Sequence, residues 1–157
     1  MVSRRPQIAK GHEEPFAVHF SVFLANRVGQ FKDLLDILAA EDLEVLGVSV
    51  IDSTDWAVLR IVVSDPNKAG AVLQAHGLPY TESRVLLPVL RDDKPLSQIC
   101  GLLLQAEINV HFAYPLTLRH DDCAVMVFHV DDAPVAAEIL SRHGVVLLGD
   151  EDLRDRA

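Results

Sequence analysis

An α+β fold of two βαββαβ units in tandem is predicted by two features of the sequence. One is an internal repeat; the other is a fixed alternation of strand-like and helix-like patterns within each copy. The segment Leu34-Leu-Asp-Ile-Leu-Ala-Ala-Glu-Asp-Leu-Glu-Val45 is answered by Ile99-Cys-Gly-Leu-Leu-Leu-Gln-Ala-Glu-Ile-Asn-Val110, an offset of 65 residues (45 to 110). Further on, Ala75-His-Gly-Leu78 is answered by Arg142-His-Gly-Val145, an offset of 67 (78 to 145). Two blocks in the same order at nearly the same offset mark two copies of one unit, with two residues of drift in loops.

In the first copy, residues 16–24 alternate Phe16, Val18, Phe20, Val22 and Leu24 with smaller or polar residues, which predicts a strand. Phe31, Leu34, Leu35 and Leu38 then recur at helical spacing and predict one apolar stripe. Residues 43–51 read as a second strand, Asp52-Ser-Thr-Asp55 as a turn whose side chains bond their own backbone, and the β-branched run 56–63 as a third strand. Asp65-Pro66 opens a second helix, with Asp65 as N-cap and Pro66 in the first helical position. Its stripe is Ala69, Val72, Leu73 and His76, and Gly77 closes it. A fourth strand follows near 80–87.

The second copy repeats this punctuation. Its first helix uses Leu96, Ile99, Cys100 and Leu103. Strands at 108–118 and 123–130 are joined by Arg119-His-Asp-Asp122. Asp132 caps a helix striped by Ala136, Ile139, Leu140 and His143 and closed by Gly144, and residues 145–148 form the last strand. Right-handed crossovers are expected to set the first and third strands of each unit side by side and parallel. This gives a four-stranded mixed sheet with both helices on one face, the ferredoxin-like arrangement. The segment 80–90 must end one unit and begin the next. It reads as one long strand shared between the two sheets, or as strands exchanged between the copies. The boundaries are then a loose polar tail at 1–14, units at 15–84 and 85–150, and a polar C-terminal tail at 151–157.

The bulk numbers fit. The chain has 157 residues, half of them hydrophobic, enough for one ordinary domain or two small ones. With 14 Lys and Arg against 23 Asp and Glu the formal charge is −9. That balance opposes binding to nucleic acid or to an anionic membrane surface. No apolar run approaches the roughly 20 residues of a membrane helix, and the basic start carries no apolar region of a signal peptide. Cys100 and Cys123 lack CxxC spacing and are expected as reduced core residues in a cytoplasmic chain.

The corner Asn26-Arg-Val-Gly29, the helix after it, and the stretch Val48-Ser-Val-Ile-Asp-Ser-Thr-Asp-Trp-Ala-Val-Leu-Arg-Ile-Val-Val-Ser-Asp-Pro-Asn-Lys-Ala69 resemble an ACT domain. From about residue 16 to 149 the chain resembles the tandem ACT proteins that carry no attached enzyme. The resemblance implies a regulatory module that binds an amino acid or a similar small ligand. It also implies two units paired edge to edge into an eight-stranded, antiparallel-type sheet with the helices on one face. The implied ligand position lies between the first strand-to-helix corner of one unit and the second strand of its neighbour.

Elementary chemistry points to the same corner. A helix that starts at about Gly29 turns its free N–H groups and positive dipole end toward it, where a carboxylate is well placed. Gly29 lacks the Cβ that would block close approach of a ligand to the backbone. The Asn26 amide offers donor and acceptor to a zwitterion. Asn26 and Asn109 match the two asparagines of amino-acid-binding family members, one in each copy. The candidate ligand-binding residues are Asn26, Arg27, Val28, Gly29, Gln30 and Asn109. Asn26 serves equally as a turn or cap residue, and Val28 stands where the family often has proline, so the corner loses a φ restriction. The reciprocal corner, Arg91-Asp-Asp-Lys-Pro-Leu96, has no glycine and two carboxylates, and the first copy has Glu44 at the position that Asn109 holds in the second. Asp92, Asp93 and Glu44 would repel a carboxylate, so one site per chain is expected.

No nucleophile setting, phosphate-cradling glycine loop or metal-ligand spacing occurs, and neither a metal, a cofactor nor catalysis is expected. His76 and His143 sit at helix C-termini, where the dipole accounts for them. The third strand lacks the basic aromatic face of an RNA-recognition sheet. The reading is a small-molecule-binding regulatory protein that acts on another protein or through a homodimer. The alternative is a protein-interaction module with a vestigial ligand site.

Overall fold

The computed structural model describes residues 14–25 and 27–154. The expected tail at 1–14 therefore lies outside the described residues except for its last position. The first unit comprises β1 (Ala17–Ala25), α1 (Gln30–Ala40), β2 (Val45–Asp52), β3 (Trp56–Val63), α2 (Pro66–Ala75) and β4 (Tyr80–Val85). The second comprises β5 (Leu87–Pro88), α3 (Leu96–Gln105), β6 (Val110–His120), β7 (Cys123–Val130), α4 (Ala133–Arg142) and β8 (Leu147–Leu148), and α5 (Asp150–Arg154) follows it.

The helix starts form for the reasons written in the sequence. Asp65 Oδ1 accepts the N–H of Lys68 at 3.2 Å and Asp132 Oδ1 that of Val135 at 3.2 Å, with Pro66 and Pro134 in the first turns. Gly77 (φ 64°) and Gly144 (φ 82°) take the left-handed conformation that follows each helix. The stripes are shifted in places. Leu34 and Leu38 are buried on α1 while Phe31 is exposed, and on α3 Leu102 is buried with Ile99 and Leu103. Cys100, expected in the core, is exposed on α3, and Cys123 is half-buried; both are free thiols.

The strand directions correct the parallel expectation. β1 pairs with β3 antiparallel, with Phe20 opposite Ile61. The crossover through α1 makes β1 and β2 run the same way, and β3 returns from β2 as a hairpin and inserts between them, so it opposes both. The order is β4-β1-β3-β2-β6-β7, a six-stranded antiparallel sheet, with β5 and β8 as a separate two-stranded sheet. This replaces the single eight-stranded sheet. The reason is the junction. Only Leu86 separates β4 from β5, so the second unit's first strand has a few residues and meets β7 only through isolated bridges, Leu86 to Phe128 and Val89 to Val125. A single run of chain thus serves both sheets, and the six-stranded sheet must curl to let it.

The curl produces three cores. Phe20, Val22, Leu24, Leu59 and Ile61 meet α1 and α2 on the outer face of the first unit. Leu86, Phe128 and Val130 meet α3 and α4 on the outer face of the second. Between the sheets, Ala17, Leu46 and Val62 of the first unit pack on Tyr114, Leu116, Val125 and Val127 of the second. Leu153 of α5 also enters this inner core, and the Asp150 carboxylate accepts the N–H of Val18 at 3.2–3.3 Å, tying the end of the second unit to the start of β1. The units join edge to edge where Gly47 of β2 faces Leu116 of β6. There Thr117 Oγ1 donates to the Leu46 carbonyl at 2.9 Å.

Candidate functional site

A cleft of about 270 Å³ opens where β1 ends and α1 begins. Leu24, Ala25 and Arg27 form one wall, Gln30 and Phe31 the helix start, and Val50, Asp52, Ala57 and Leu59 the sheet floor from β2 and β3. Gly29 is the N-cap of α1 with φ 90°, and among the described residues no side chain caps the helix. Its carbonyl accepts the N–H of Asp33 at 2.9 Å, and the N–H of Gln30 reaches Arg27 O at 3.3 Å. The remaining first-turn N–H groups have no intrahelical acceptor, by the geometry of any helix start. They bring partial positive charge to the cleft.

Four of the six sequence candidates are thus at this corner. Arg27 and Gln30 line the cleft, Gly29 shapes it, and Val28 projects wholly into solvent. Asn26 falls outside the described residues. Asn109 is exposed just before β6, at the same end of the sheet. β3 and β2 stand between β1 and β6, a separation of about 14 Å at usual strand spacing. Asn109 engages Asp131, whose Oδ2 accepts its N–H at 3.1 Å. Sequence reasoning missed Asp52, read there only as a turn residue; it closes β2 and supplies the cleft with a carboxylate. Its place at the end of a strand facing a helix start was the available signal.

A Cβ added at Gly29 meets nothing within 4 Å, so a side chain there fits in space but not in backbone conformation. Gly29→Ala is expected to cost about 1–2 kcal/mol through the positive φ, measured as a lower denaturant midpoint with unchanged slope.

A larger cleft, about 340 Å³, lies at the other end of β1, lined by Glu14, Arg84, Asp150, Glu151 and Arg154 among others. Its acids and bases face each other, and Asp150 is committed to tying α5 to β1.

A polar layer closes one end of the inner core. His19, fully buried on β1, lies 5.1 Å from the Phe112 ring and 5.9 Å from that of Tyr114. The Arg60 guanidinium stands 3.9 Å over Phe112, and His129 stacks on Phe112 at 4.9 Å. Burial, then the positive charge of Arg60, then His129, push the His19 pKa down to about 3. Burial pushes the Tyr114 phenol well above its ordinary range, against the opposing charge of Arg60. His129 is lowered by burial and by His111 and Arg60, against the opposing pull of Asp131.

The His19 shift has a stability consequence. A histidine takes up its proton in the unfolded chain near pH 6.5, whereas the folded protein resists until about pH 3. The unfolded state then binds more protons throughout that window, so stability is full above pH 6.5 and falls as the pH drops. The expected slope from this one group approaches 1.4 kcal/mol per pH unit. Denaturant unfolding at pH 7 and pH 5 should show the fall in the wild type and a smaller one in His19→Gln. Equal falls in both would refute the assignment.

Residues 17–157 match the family described as an ACT domain pair. The chain belongs to that family. The ACT pair takes up nearly the whole chain, as its βαββαβ units require. Among solved structures, it is similar to protein BT0572 from Bacteroides thetaiotaomicron, with a TM-score of 0.79, 24% identity, and coverage of 88% of this chain and 96% of that one. It is also similar to the ligand-free regulatory subunit of aspartate kinase from Thermus thermophilus, with a TM-score of 0.58, 11% identity, and 80% and 90% coverage. Aspartokinase alpha and beta subunits follow, with a TM-score of 0.53, 15% identity, and 80% and 90% coverage. At these identities the likeness is one of fold. None of the curated proteins matches the chain. Among the described residues no helix is long and apolar enough to cross a membrane.

Proposed function

We propose that this ACT pair is a regulatory protein that binds an amino acid or a related small zwitterion at the start of α1, one per chain. The observation that carries the reading is the cleft itself, which sets Arg27 and an uncapped helix start on the same cavity as Asp52. A ligand carboxylate is served by the helix tip and Arg27, and an ammonium by Asp52. Asn26 adds an amide from the corner, whereas Asn109, across β3 and β2 and bonded to Asp131, is left out of the contact set. Phe31, Val50 and Leu59 offer apolar surface to the ligand side chain. The fold is shared with regulatory subunits of aspartate kinase, which supports a regulatory role for a chain occupied by the ACT pair.

The second corner supports the count of one. There α3 is preceded by Pro95 instead of glycine, and the Lys94 N–H folds back on Arg91 O at 2.9 Å, leaving Asp92 and Asp93 exposed beside the helix start. Two carboxylates at that position oppose an anionic ligand group. Binding acts by population shift: a ligand held better in one arrangement of the two units raises the share of that arrangement. The output then passes to a protein target or to the association of two copies. Calorimetric titration of the full chain with each common amino acid tests the proposal. One equivalent per chain is expected, and two equivalent sites would overturn the asymmetry.

A further inference from the structure

The polar layer between the two units presents buried hydrogen-bonding atoms that nothing among the described residues satisfies. His19 Nε2, Arg60 Nε, Tyr114 Oη and His129 Nδ1 are all buried atoms without a hydrogen-bond partner among the described residues. They surround one ring, Phe112, which touches or stacks on all four side chains. His19 and Arg60 come from the first unit, Tyr114 and His129 from the second. An unpaired buried polar atom costs about 1–3 kcal/mol. Four around one point are unusual for a native interior, where such groups are few.

Three of the four can act as donors. The guanidinium donates only, and the phenol donates when an acceptor is offered. Ser83 Oγ lies 3.4 Å from His19 Nδ1, and when that hydroxyl donates, Nε2 carries the proton and becomes a donor too. The carboxylate acting on this layer, Asp131, is held by His111 Nε2 at 2.6 Å and by the Asn109 N–H. Arg60 therefore faces the layer with no carboxylate among the residues that surround Phe112. Arg60, Phe112 and His129 are only half-buried, so the layer opens to solvent at its rim, with His19 and Tyr114 behind it.

We infer that this layer is a second ligand site, separate from the α1 cleft, which takes a small anion, a carboxylate or an inorganic oxyanion, between the two ACT units. The anion accepts from Arg60 and Tyr114 together, and so binds a group from each unit. Occupation ties the first unit's strands to those of the second, and the site is lost when either unit's share is removed. Nothing in this inference depends on the α1 cleft being functional.

The probes are sodium acetate and sodium phosphate, titrated into the full chain at constant ionic strength while the histidine ring and tyrosine signals are followed by NMR. Saturable shifts of His19, His129 and Tyr114 are expected, together with a raised His129 pKa as the anion neutralises the Arg60 field. Acetate alone acting would name a carboxylate ligand, phosphate alone an oxyanion; either outcome upholds the site. Arg60→Met and the conservative Tyr114→Phe, each checked for native circular dichroism, should weaken binding about tenfold or more. Arg27→Met, at the other cleft, should leave it unchanged. Linear, non-saturating shifts would overturn the site. So would an affinity that survives both Arg60→Met and Tyr114→Phe, or one lost only in Arg27→Met.

Discussion

Phe128→Ala is expected to lower the unfolding free energy by about 3–5 kcal/mol and the Tm by roughly 6–20 °C. Phe128 is among the largest fully enclosed side chains and packs between β7 and the helices α3 and α4. Its backbone also matters. Its N–H and carbonyl exchange hydrogen bonds with Leu86 at 2.8 and 2.9 Å, where the chain passes from one unit to the next. Cutting the ring back to a methyl leaves a cavity that the surrounding Leu103, Leu140 and Leu147 fill only in part. The loss should be felt across both units, because the inner core draws on β1, β2 and β3 as well as β6 and β7. Trp56 is the one tryptophan and lies in the first unit, far along the chain from Phe128. Its fluorescence midpoint and the far-UV circular dichroism midpoint should therefore move together, as two-state unfolding requires. A Trp56 midpoint that stays in place while part of the dichroism shifts would mean two independent units, against the shared core.

The other large effect is a gain. A bound amino acid at about 100 times its Kd should stabilise the chain by about 2.7 kcal/mol, because it binds the folded state alone. For a chain of this size that is a Tm rise of roughly 5–10 °C. Asn26→Ala should abolish the rise, since the amide is part of the proposed contact. Asp92→Ala should keep it, because the second corner has Pro95 where the first has Gly29 and sets carboxylates beside its helix start. A screen of the common amino acids by thermal shift reads this directly. Silence from every one of them would favour the interaction module with a vestigial site.

The two readouts distinguish the proposals from each other. The amino-acid shift depends on the α1 corner, whereas anion binding depends on Arg60 and Tyr114. A ligand that brings its carboxylate to one place moves one set of reporters and leaves the other still.

Local patterns in the sequence determined the units and most of their elements. The stretch 56–63 was legible as a strand because both ends are set by turn residues, and Asp65 and Asp132 as caps because their side chains act within three residues. The α1 corner was legible for the same reason: Gly29 marks a backbone that only glycine enters freely. Asp52 escaped notice because its role depends on a helix start some twenty residues earlier in the chain. The parallel pairing of β1 and β3 failed because strand order and direction are non-local. Periodicity reports that alternate residues of β1 are buried, and it is silent on which strand lies beside them. Only the tertiary structure decided that β1 buries both faces, with Phe20 toward the helices and His19 toward the second unit. A histidine on a strand reads as a surface residue until the second unit's strands fold over it. The curl that covers it follows from a junction of one residue between β4 and β5, which makes one strand serve two sheets and draws their inner faces together.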